Sequence, residues 1–121
     1  MFANVAALLQ TGFQYQQAGR LREAEYCYRQ VLNDHPRHAE ASFLMGGLAN
    51  QSGRGDLAVS LLRTAVEAAP GEARYLFGLR GVLLKYGRLE EALDLFREAT
   101  AQFPDRAELQ ATPAMATVET I

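Results

Sequence analysis

The sequence repeats itself every 34 residues, and this period restricts the chain to folds built by stacking one small unit. Three prolines, Pro36, Pro70 and Pro104, stand at this spacing, and an alanine follows each of them three residues later. The same period is kept without a gap by the glycines Gly19, Gly53 and Gly87, each followed by arginine, and by the alanines Ala24, Ala58 and Ala92. So many positions in register are not expected by chance, and the chain is therefore treated as three copies of one unit.

Each unit is predicted to contain two helices. In the first unit, apolar residues between the glycine and the proline recur at intervals of three and four, which is one face of an amphipathic helix. The glycine is suited to end the preceding helix, and the proline stops the second one because it has no N–H to donate. We therefore predict an all-α fold, a helix-turn-helix repeat solenoid (an α-α superhelix) with three helix pairs. The first helices are expected at 5–18, 39–52 and 73–86, in a single domain over 1–112 with repeats at about 5–38, 39–72 and 73–106.

These units resemble the tetratricopeptide repeat family over about residues 5–106. In the first unit the family's pattern of large, apolar, small and aromatic positions, then alanine, aromatic and proline, is carried by Leu8, Thr11, Gly12, Tyr15, Ala24, Tyr28 and Pro36. Two later positions depart from it: Ala49 is smaller than the usual aromatic, and Arg80 replaces the small residue that lets paired helices approach. Both departures are expected to open the stack locally.

The C-terminal end of the stack is predicted to be weakly capped. A fourth unit starts in register at Pro104, but Pro113 would break any longer helix. Residues 105–112 are therefore predicted to form a short capping helix, and residues 113–121 a flexible tail. So short a cap would leave apolar surface around Leu79, Leu83, Leu93 and Phe96. Such patches are association sites, so we expect self-association through this end or continuation into a longer protein.

The resemblance implies a concave groove, lined by the first helix of each unit, that binds a protein segment. The predicted partner-binding residues are Leu9, Phe13 and Gln17 in the first unit, Phe43, Leu44, Gly47 and Asn50 in the second, and Arg74, Phe77, Gly81 and Lys85 in the third. The three phenylalanines would be rigid apolar anchors, and the two glycines would leave room for a partner. A peptide or amphipathic helix with apolar anchors is the predicted ligand.

Other interpretations of these residues remain open. Phe43 and Phe77 could instead belong to the core, and the glycines could allow close packing between helices. The chain's own tail, residues 115–121, could also fill the groove.

Polar contacts to a partner are expected from the amides of Gln16, Gln17, Asn50 and Gln51, with Arg74 and Lys85 receiving one acidic group. The family's clamp for acidic chaperone C-termini is not expected, because its positions hold Leu9, Phe13, Leu44, Arg74 and Gly78, of which only the arginine keeps the chemistry. The asparagine ladder of the family's sugar transferases is missing as well, since its positions hold Gln10, Leu44 and Gly78.

Composition and motifs argue against most other functions. The net charge of −2 and the scattered arginines give no basic surface for nucleic acid. No stretch approaches the roughly 20 apolar residues of a membrane span, and the single Cys27 allows no internal disulfide, so a cytoplasmic protein is predicted. His35 and His38 make half a metal site at best, and no catalytic motif is present. We therefore predict no metal, no cofactor and no enzymatic activity.

The predicted function is that of a scaffold or adaptor, a protein-interaction module that holds a peptide or helix in its groove. Two alternatives remain open. The chain resembles the repeats, rich in Ala, Arg and Leu, that precede bacterial glycosyltransferase or sulfotransferase domains, so it could be an accessory segment of a larger enzyme. It could also be a self-assembling repeat protein.

Overall fold

The computed structural model describes residues 4–105, where all the regular structure is helical. The helices are α1 (Val5–Gln17), α2 (Leu21–Asp34), α3 (Ala39–Gln51), α4 (Gly55–Ala68), α5 (Ala73–Lys85) and α6 (Leu89–Gln102). They form three consecutive pairs, and each pair packs on the next. The predicted all-α solenoid of three helix pairs is therefore confirmed. Apart from Asp105, the predicted cap at 105–112 and the tail at 113–121 lie outside the described residues.

The turn inside each pair is built on the repeated glycine. Gly19, Gly53 and Gly87 have φ of 80°, 79° and 75°, a left-handed conformation that favours glycine. In the first turn, Arg20 N–H donates to the carbonyl of Tyr15 at 2.8 Å, and Gly19 N–H donates to that of Gln16 at 3.1 Å. The same two hydrogen bonds recur in the other two turns. This arrangement satisfies the last carbonyls of the helix and ends each first helix one residue before the predicted boundary.

The first helix of each unit is capped at its start by a polar side chain. Asn4 accepts a hydrogen bond from Ala7 N–H at 3.1 Å, and Nδ1 of His38 accepts one from Ala41 N–H at 3.2 Å. Such caps satisfy donors that have no partner within the helix. His38 is therefore a structural residue that fixes the start of α3.

The core consists of two clusters that meet at the central helix pair. One joins the first pair to α3 and contains Leu9, Ala24, Tyr28, Val31, Ala41, Met45 and Leu48. The other joins α3 and α4 to the last pair and contains Ala49, Ala58, Val59, Leu62, Leu76, Leu79, Val82, Leu83, Ala92, Leu95, Phe96 and Ala99. Each helix pair thus buries its apolar face against a neighbour, as expected of a solenoid.

Close approach within the first two pairs depends on glycine. A Cβ atom on Gly12 would lie 2.6 Å from Cε1 of Tyr28, and a Cβ atom on Gly46 would lie 2.8 Å from Cγ of Leu62. The equivalent residue in the third pair is Arg80. Its guanidinium lies over the rings of Phe77 and Phe96, at 5.6 and 5.7 Å from their centroids.

The third pair is correspondingly looser than the other two. The α5–α6 pair packs less closely than α1–α2 or α3–α4, in line with the opening expected at Arg80. Within residues 4–105, the buried Nε of Arg80 has no hydrogen-bond partner. The opening expected at Ala49 is wrong, because this residue is fully buried in the most closely packed of the three pairs.

The expectation of uncovered apolar surface at Leu79, Leu83 and Phe96 is also wrong. All three are buried, because they point into the cluster shared with α4. Leu93 is 43% exposed, as expected, and Leu89, which the sequence did not single out, is 56% exposed. Leu89 and Leu93 thus form an exposed apolar surface on α6.

Two adjacent glycines of α3 should respond to alanine in opposite directions. Gly46→Ala introduces the contact with Leu62, and we expect a net loss of about 1 to 2 kcal/mol in the free energy of unfolding, because overpacking outweighs the gain in helix propensity. Gly47→Ala adds a methyl group with no atom within 4 Å, so we expect a gain of about 0.5 to 1 kcal/mol. Urea unfolding followed by circular dichroism measures both, and equal effects would contradict the described packing.

Candidate functional site

The first helices of the three units bring most of the predicted apolar groove residues around one open cavity of about 370 Å³. This concave cavity is lined by Leu9, Gln10 and Phe13 of α1, Glu40, Phe43 and Leu44 of α3, and Arg74 of α5. Five of these residues belong to the predicted site. The predicted residues Gln17, Gly47, Asn50, Phe77, Gly81 and Lys85 do not line it.

The three predicted aromatic anchors differ in exposure. Phe13 is 43% exposed at the cavity. Phe43 and Phe77 are less exposed, because both are half-buried against the core. The Phe43 ring lies 4.9 Å from that of Tyr75, and it also lines the cavity, so this residue is both core and surface. The Phe77 ring lies 5.6 Å from that of Phe96, which makes the core interpretation correct for Phe77.

A charged cluster closes one side of the cavity. Arg74 donates to Oε1 of Glu40 at 2.9 Å, and the hydroxyl of Tyr75 donates to the same oxygen at 2.7 Å. The guanidinium of Arg74 lies 5.5 Å from the centroid of the Phe43 ring. The hydrogen bond to Glu40 raises the pKa of Arg74 above its ordinary value. Arg74 is thus paired with Glu40 in an exposed ion pair, and the expectation that it receives an acidic group of a partner remains a prediction.

The glycines of the groove face open space. Among residues 4–105, no atom lies within 4 Å of the place where a Cβ atom of Gly47 or Gly81 would stand. The alternative that these glycines allow close packing of helices within the chain is therefore wrong. Gly78, by contrast, allows close packing between repeats, because a Cβ atom there would lie 2.9 Å from Cε1 of Phe43.

Beyond the glycines, the predicted polar residues pair with each other. Gln16 donates to the side-chain oxygen of Gln51 at 3.1 Å, and Lys85 donates to that of Asn50 at 3.0 Å. Gln16 also accepts a hydrogen bond from the hydroxyl of Tyr28 at 2.7 Å. The Gln16–Gln51 and Lys85–Asn50 contacts connect neighbouring repeats, and the expectation that these side chains also contact a partner remains a prediction. Gln17 is exposed.

The described residues offer little for metal or thiol chemistry. Between residues 4 and 105, no group of three or more His, Cys, Asp or Glu side chains is placed to hold a metal ion. Burial raises the pKa of the Cys27 thiol, which keeps it protonated and weakly reactive. In the same part of the chain, no helix is both long and apolar enough to cross a bilayer.

Two buried tyrosines predict a loss of stability at high pH. Burial raises the pKa of Tyr28 from 10 to about 12, and burial together with the hydrogen bond to Glu40 raises that of Tyr75 to about 12. The unfolded chain releases these protons first, so the free energy of unfolding should be unaffected below about pH 10 and fall as the pH rises towards 12. We expect a loss of about 2 kcal/mol for each tyrosine by about pH 12. Urea unfolding across this range measures it. A Tyr28→Phe chain should lose about half of the pH dependence, and an unchanged slope would contradict the assignment.

Comparisons with known proteins agree with this architecture. Two models of the tetratricopeptide repeat family match the sequence, over residues 14–73 and 49–116. No curated protein sequence matches it.

Among solved structures, a mutant O-GlcNAc transferase of Thermobaculum terrenum is 31% identical with a TM-score of 0.72, and the match covers 93% of this chain but only 22% of that one. The first such repeat domain of Spaghetti (RPAP3), bound to an HSP90 peptide, is 16% identical with a TM-score of 0.74, covering 97% of this chain and 94% of that one. A structure of MamA is 26% identical with a TM-score of 0.72, and the match covers 97% of this chain and 64% of that one.

Proposed function

Because the chain belongs to the tetratricopeptide repeat family, we propose that it is a protein-interaction module that binds a segment of another protein in its concave cavity. The observation that supports this proposal is the open, mainly apolar cavity formed by Leu9, Phe13, Phe43 and Leu44. Apolar side chains that remain exposed together on a concave surface are the usual anchors of a binding site.

The chemistry of the cavity favours an apolar anchor in the ligand. Its four apolar residues would contact a large side chain such as leucine or phenylalanine, and Glu40 and Arg74 would border it as a neutral ion pair. The relative from Spaghetti carries an HSP90 peptide, but at 16% identity it shares only the fold. This chain has leucine and phenylalanine where a carboxylate clamp would need cations, so an acidic C-terminus is not the proposed ligand.

The open glycine positions extend the same surface. Gly47 and Gly81 stand 34 residues apart, and neither has a neighbour where its Cβ atom would lie. Glycine inside a helix costs about 1 kcal/mol relative to alanine, and no packing within the described part of the chain requires it at these two places. We propose that the backbone of the bound segment passes close to these glycines after its apolar side chain has entered the cavity.

Selection from a library of displayed random peptides tests the proposal. We expect enriched peptides to share one large apolar residue and to bind the purified chain with roughly micromolar affinity, about −8 kcal/mol. A Phe13→Glu chain should not retain them, because the new charge lies in the cavity. A Gln14→Glu chain, with the same charge change on an exposed neighbour, is the control. Peptides retained equally by the Phe13→Glu chain would exclude the cavity as the binding site.

A second role is favoured by the transferase match. The identity of 31% to an O-GlcNAc transferase chain, of which this chain spans 22%, supports the proposal that the repeats are an accessory segment of a larger enzyme or act beside one. Affinity purification of the chain from its native cells distinguishes the two roles. A transferase recovered in constant proportion to the chain supports the second role, and its absence from the purified material would count against it.

A further inference from the structure

Four charged side chains face each other across the junction between the second and third repeats. Glu91 accepts hydrogen bonds from Arg88 of its own helix pair at 2.6 Å and from Arg63 of α4 at 2.7 Å. Arg88 in turn lies 3.5 Å from Asp56, at the start of α4. One cation and one anion of the second repeat thus face one cation and one anion of the third.

The same four charges recur, divided between the two ends of the chain. One period after Asp56 and Arg63 stand Glu90 and Arg97 of α6. Two periods before Arg88 and Glu91 stand Arg20 and Glu23, which already form the equivalent ion pair at 2.8 Å.

This recurrence is not a general property of the repeat. At the junction between the first and second repeats, the corresponding positions hold Arg22, Arg29, Arg54 and Leu57, and the ion pair across that junction is made by a different residue, Glu25, which lies 3.1 Å from Arg54. The C-terminal repeat therefore carries one half of the network of the internal second junction, and the N-terminal repeat carries the other half.

Apolar residues at the two ends show the same division. Inside the stack, Val59 of α4 is buried in the cluster that contains Leu79, Leu83 and Leu95 of the next repeat. Its counterpart one period later is Leu93, which is 43% exposed on α6.

The surface that would receive Leu93 also has a counterpart. Two periods before Leu79, Leu83 and Leu95 stand Thr11, Tyr15 and Cys27, and these three line a second cavity of about 370 Å³ at the N-terminal end. The cavity is also lined by Tyr26, which is 66% exposed. Within residues 4–105, Leu93 thus lacks the kind of burial that Val59 has, and this end cavity is lined by the counterparts of three residues of the cluster in which Val59 is buried.

We propose that the C-terminal repeat of one molecule docks on the N-terminal repeat of a second copy and continues the solenoid. Leu93 enters the end cavity of the partner, Glu90 pairs with Arg20, and Arg97 pairs with Glu23. The contact joins two different surfaces, so it repeats from copy to copy. Since Thr11 stands where the internal junction has Leu79, the association is weaker than the packing inside the chain. The charges select the correct pairing, because exposed ion pairs contribute more to specificity than to affinity.

Two charge-swapped variants of the full chain test this pairing. The first carries Glu90→Arg and Arg97→Glu, and the second carries Arg20→Glu and Glu23→Arg. Each variant alone brings like charges together at the contact, whereas an equal mixture of the two restores opposite charges at every junction. The weight-average mass from light scattering over a concentration series is the readout, and the peptide-binding cavity contains none of the four residues.

We expect the mass of the original chain to rise above 13.3 kDa with concentration. Each variant alone should associate about tenfold more weakly, and the mixture should recover. An original chain that stays at 13.3 kDa at millimolar concentration would overturn the proposal, and would indicate that the chain itself covers Leu93 or that the face has no partner. Variants that associate as strongly as the original chain would overturn it too, and would indicate contact between two like faces. Peptide binding by the variants should be unchanged, so this test and that of the groove fail independently.

Discussion

Replacing Leu62 with alanine is expected to lower the free energy of unfolding by about 3 to 5 kcal/mol. Leu62 is 2% exposed and lies between two helices of different repeats. Its Cγ is 2.8 Å from the Cβ position of Gly46 in α3, and its Cδ2 is 3.9 Å from that of Gly78 in α5. Gly46 and Gly78 have no side chains that could move into the space that the substitution leaves. The loss is a large share of the 5 to 15 kcal/mol typical of a domain.

Urea unfolding followed by circular dichroism at low protein concentration measures this loss. Leu84→Ala is the matched control, since Leu84 is 36% exposed and its removal should change the free energy of unfolding by less than about 0.5 kcal/mol. The Leu62→Ala transition should also broaden, because this side chain couples the second repeat to the third. Equal losses in the two variants would show that Leu62 does not join the repeats as described.

A chain with Phe13→Ala and Leu44→Ala should bind its selected peptide about 100-fold more weakly, with little change in fold. Both side chains line the concave cavity, and each would bury apolar surface worth about 1 to 2 kcal/mol against the ligand. Phe13 is already exposed in the free chain, so its loss should cost the fold little stability. Leu44 also packs against the first core cluster, so circular dichroism of the variant must show the helical spectrum of the original chain. Isothermal titration of the peptide into each chain gives the affinities.

The control for this variant removes two exposed apolar residues elsewhere. Tyr26→Ala with Leu89→Ala deletes a similar area outside the concave cavity, and its peptide affinity should stay within about threefold of the original. If both double variants lose affinity equally, the peptide is held by general apolar adhesion and not by the cavity. Phe77 is omitted from both, because its ring packs on Phe96 and its loss would weaken the fold itself.

The fold could be predicted from the sequence because its signals are local and repeated three times. Gly19, Gly53 and Gly87 fixed the ends of the first helices to within one residue, since each needs a positive φ. The direction in which the residues of the last pair point was harder to predict. Periodicity shows that Leu83 and Leu93 are apolar and helical, but not that Leu83 faces α4 while Leu93 faces outward. Leu93 stands one period after Val59, which is buried in a cluster with residues of the next repeat, and this comparison would have distinguished Leu93 from Leu83.

The candidate site could be predicted only in part. The resemblance to the repeat family placed Leu9, Phe13, Phe43 and Leu44 on the concave surface, and these four residues line the cavity. The pairing of polar groups depends on side-chain conformations and was missed. Glu40 and Arg74 stand one period apart with opposite charges, which could have indicated an ion pair between neighbouring repeats.

The sharing of α3 by both core clusters has a consequence for hydrogen exchange. Opening the first helix pair exposes only the cluster that contains Tyr28, and opening the last pair exposes only the cluster that contains Phe96. The amides of α3 are protected by both clusters, so they exchange with deuterium only when the whole chain opens, and they should be the slowest. Protection should therefore decrease from the middle helices towards both ends, which gives the outer pairs freedom to adjust to a partner while the centre stays closed.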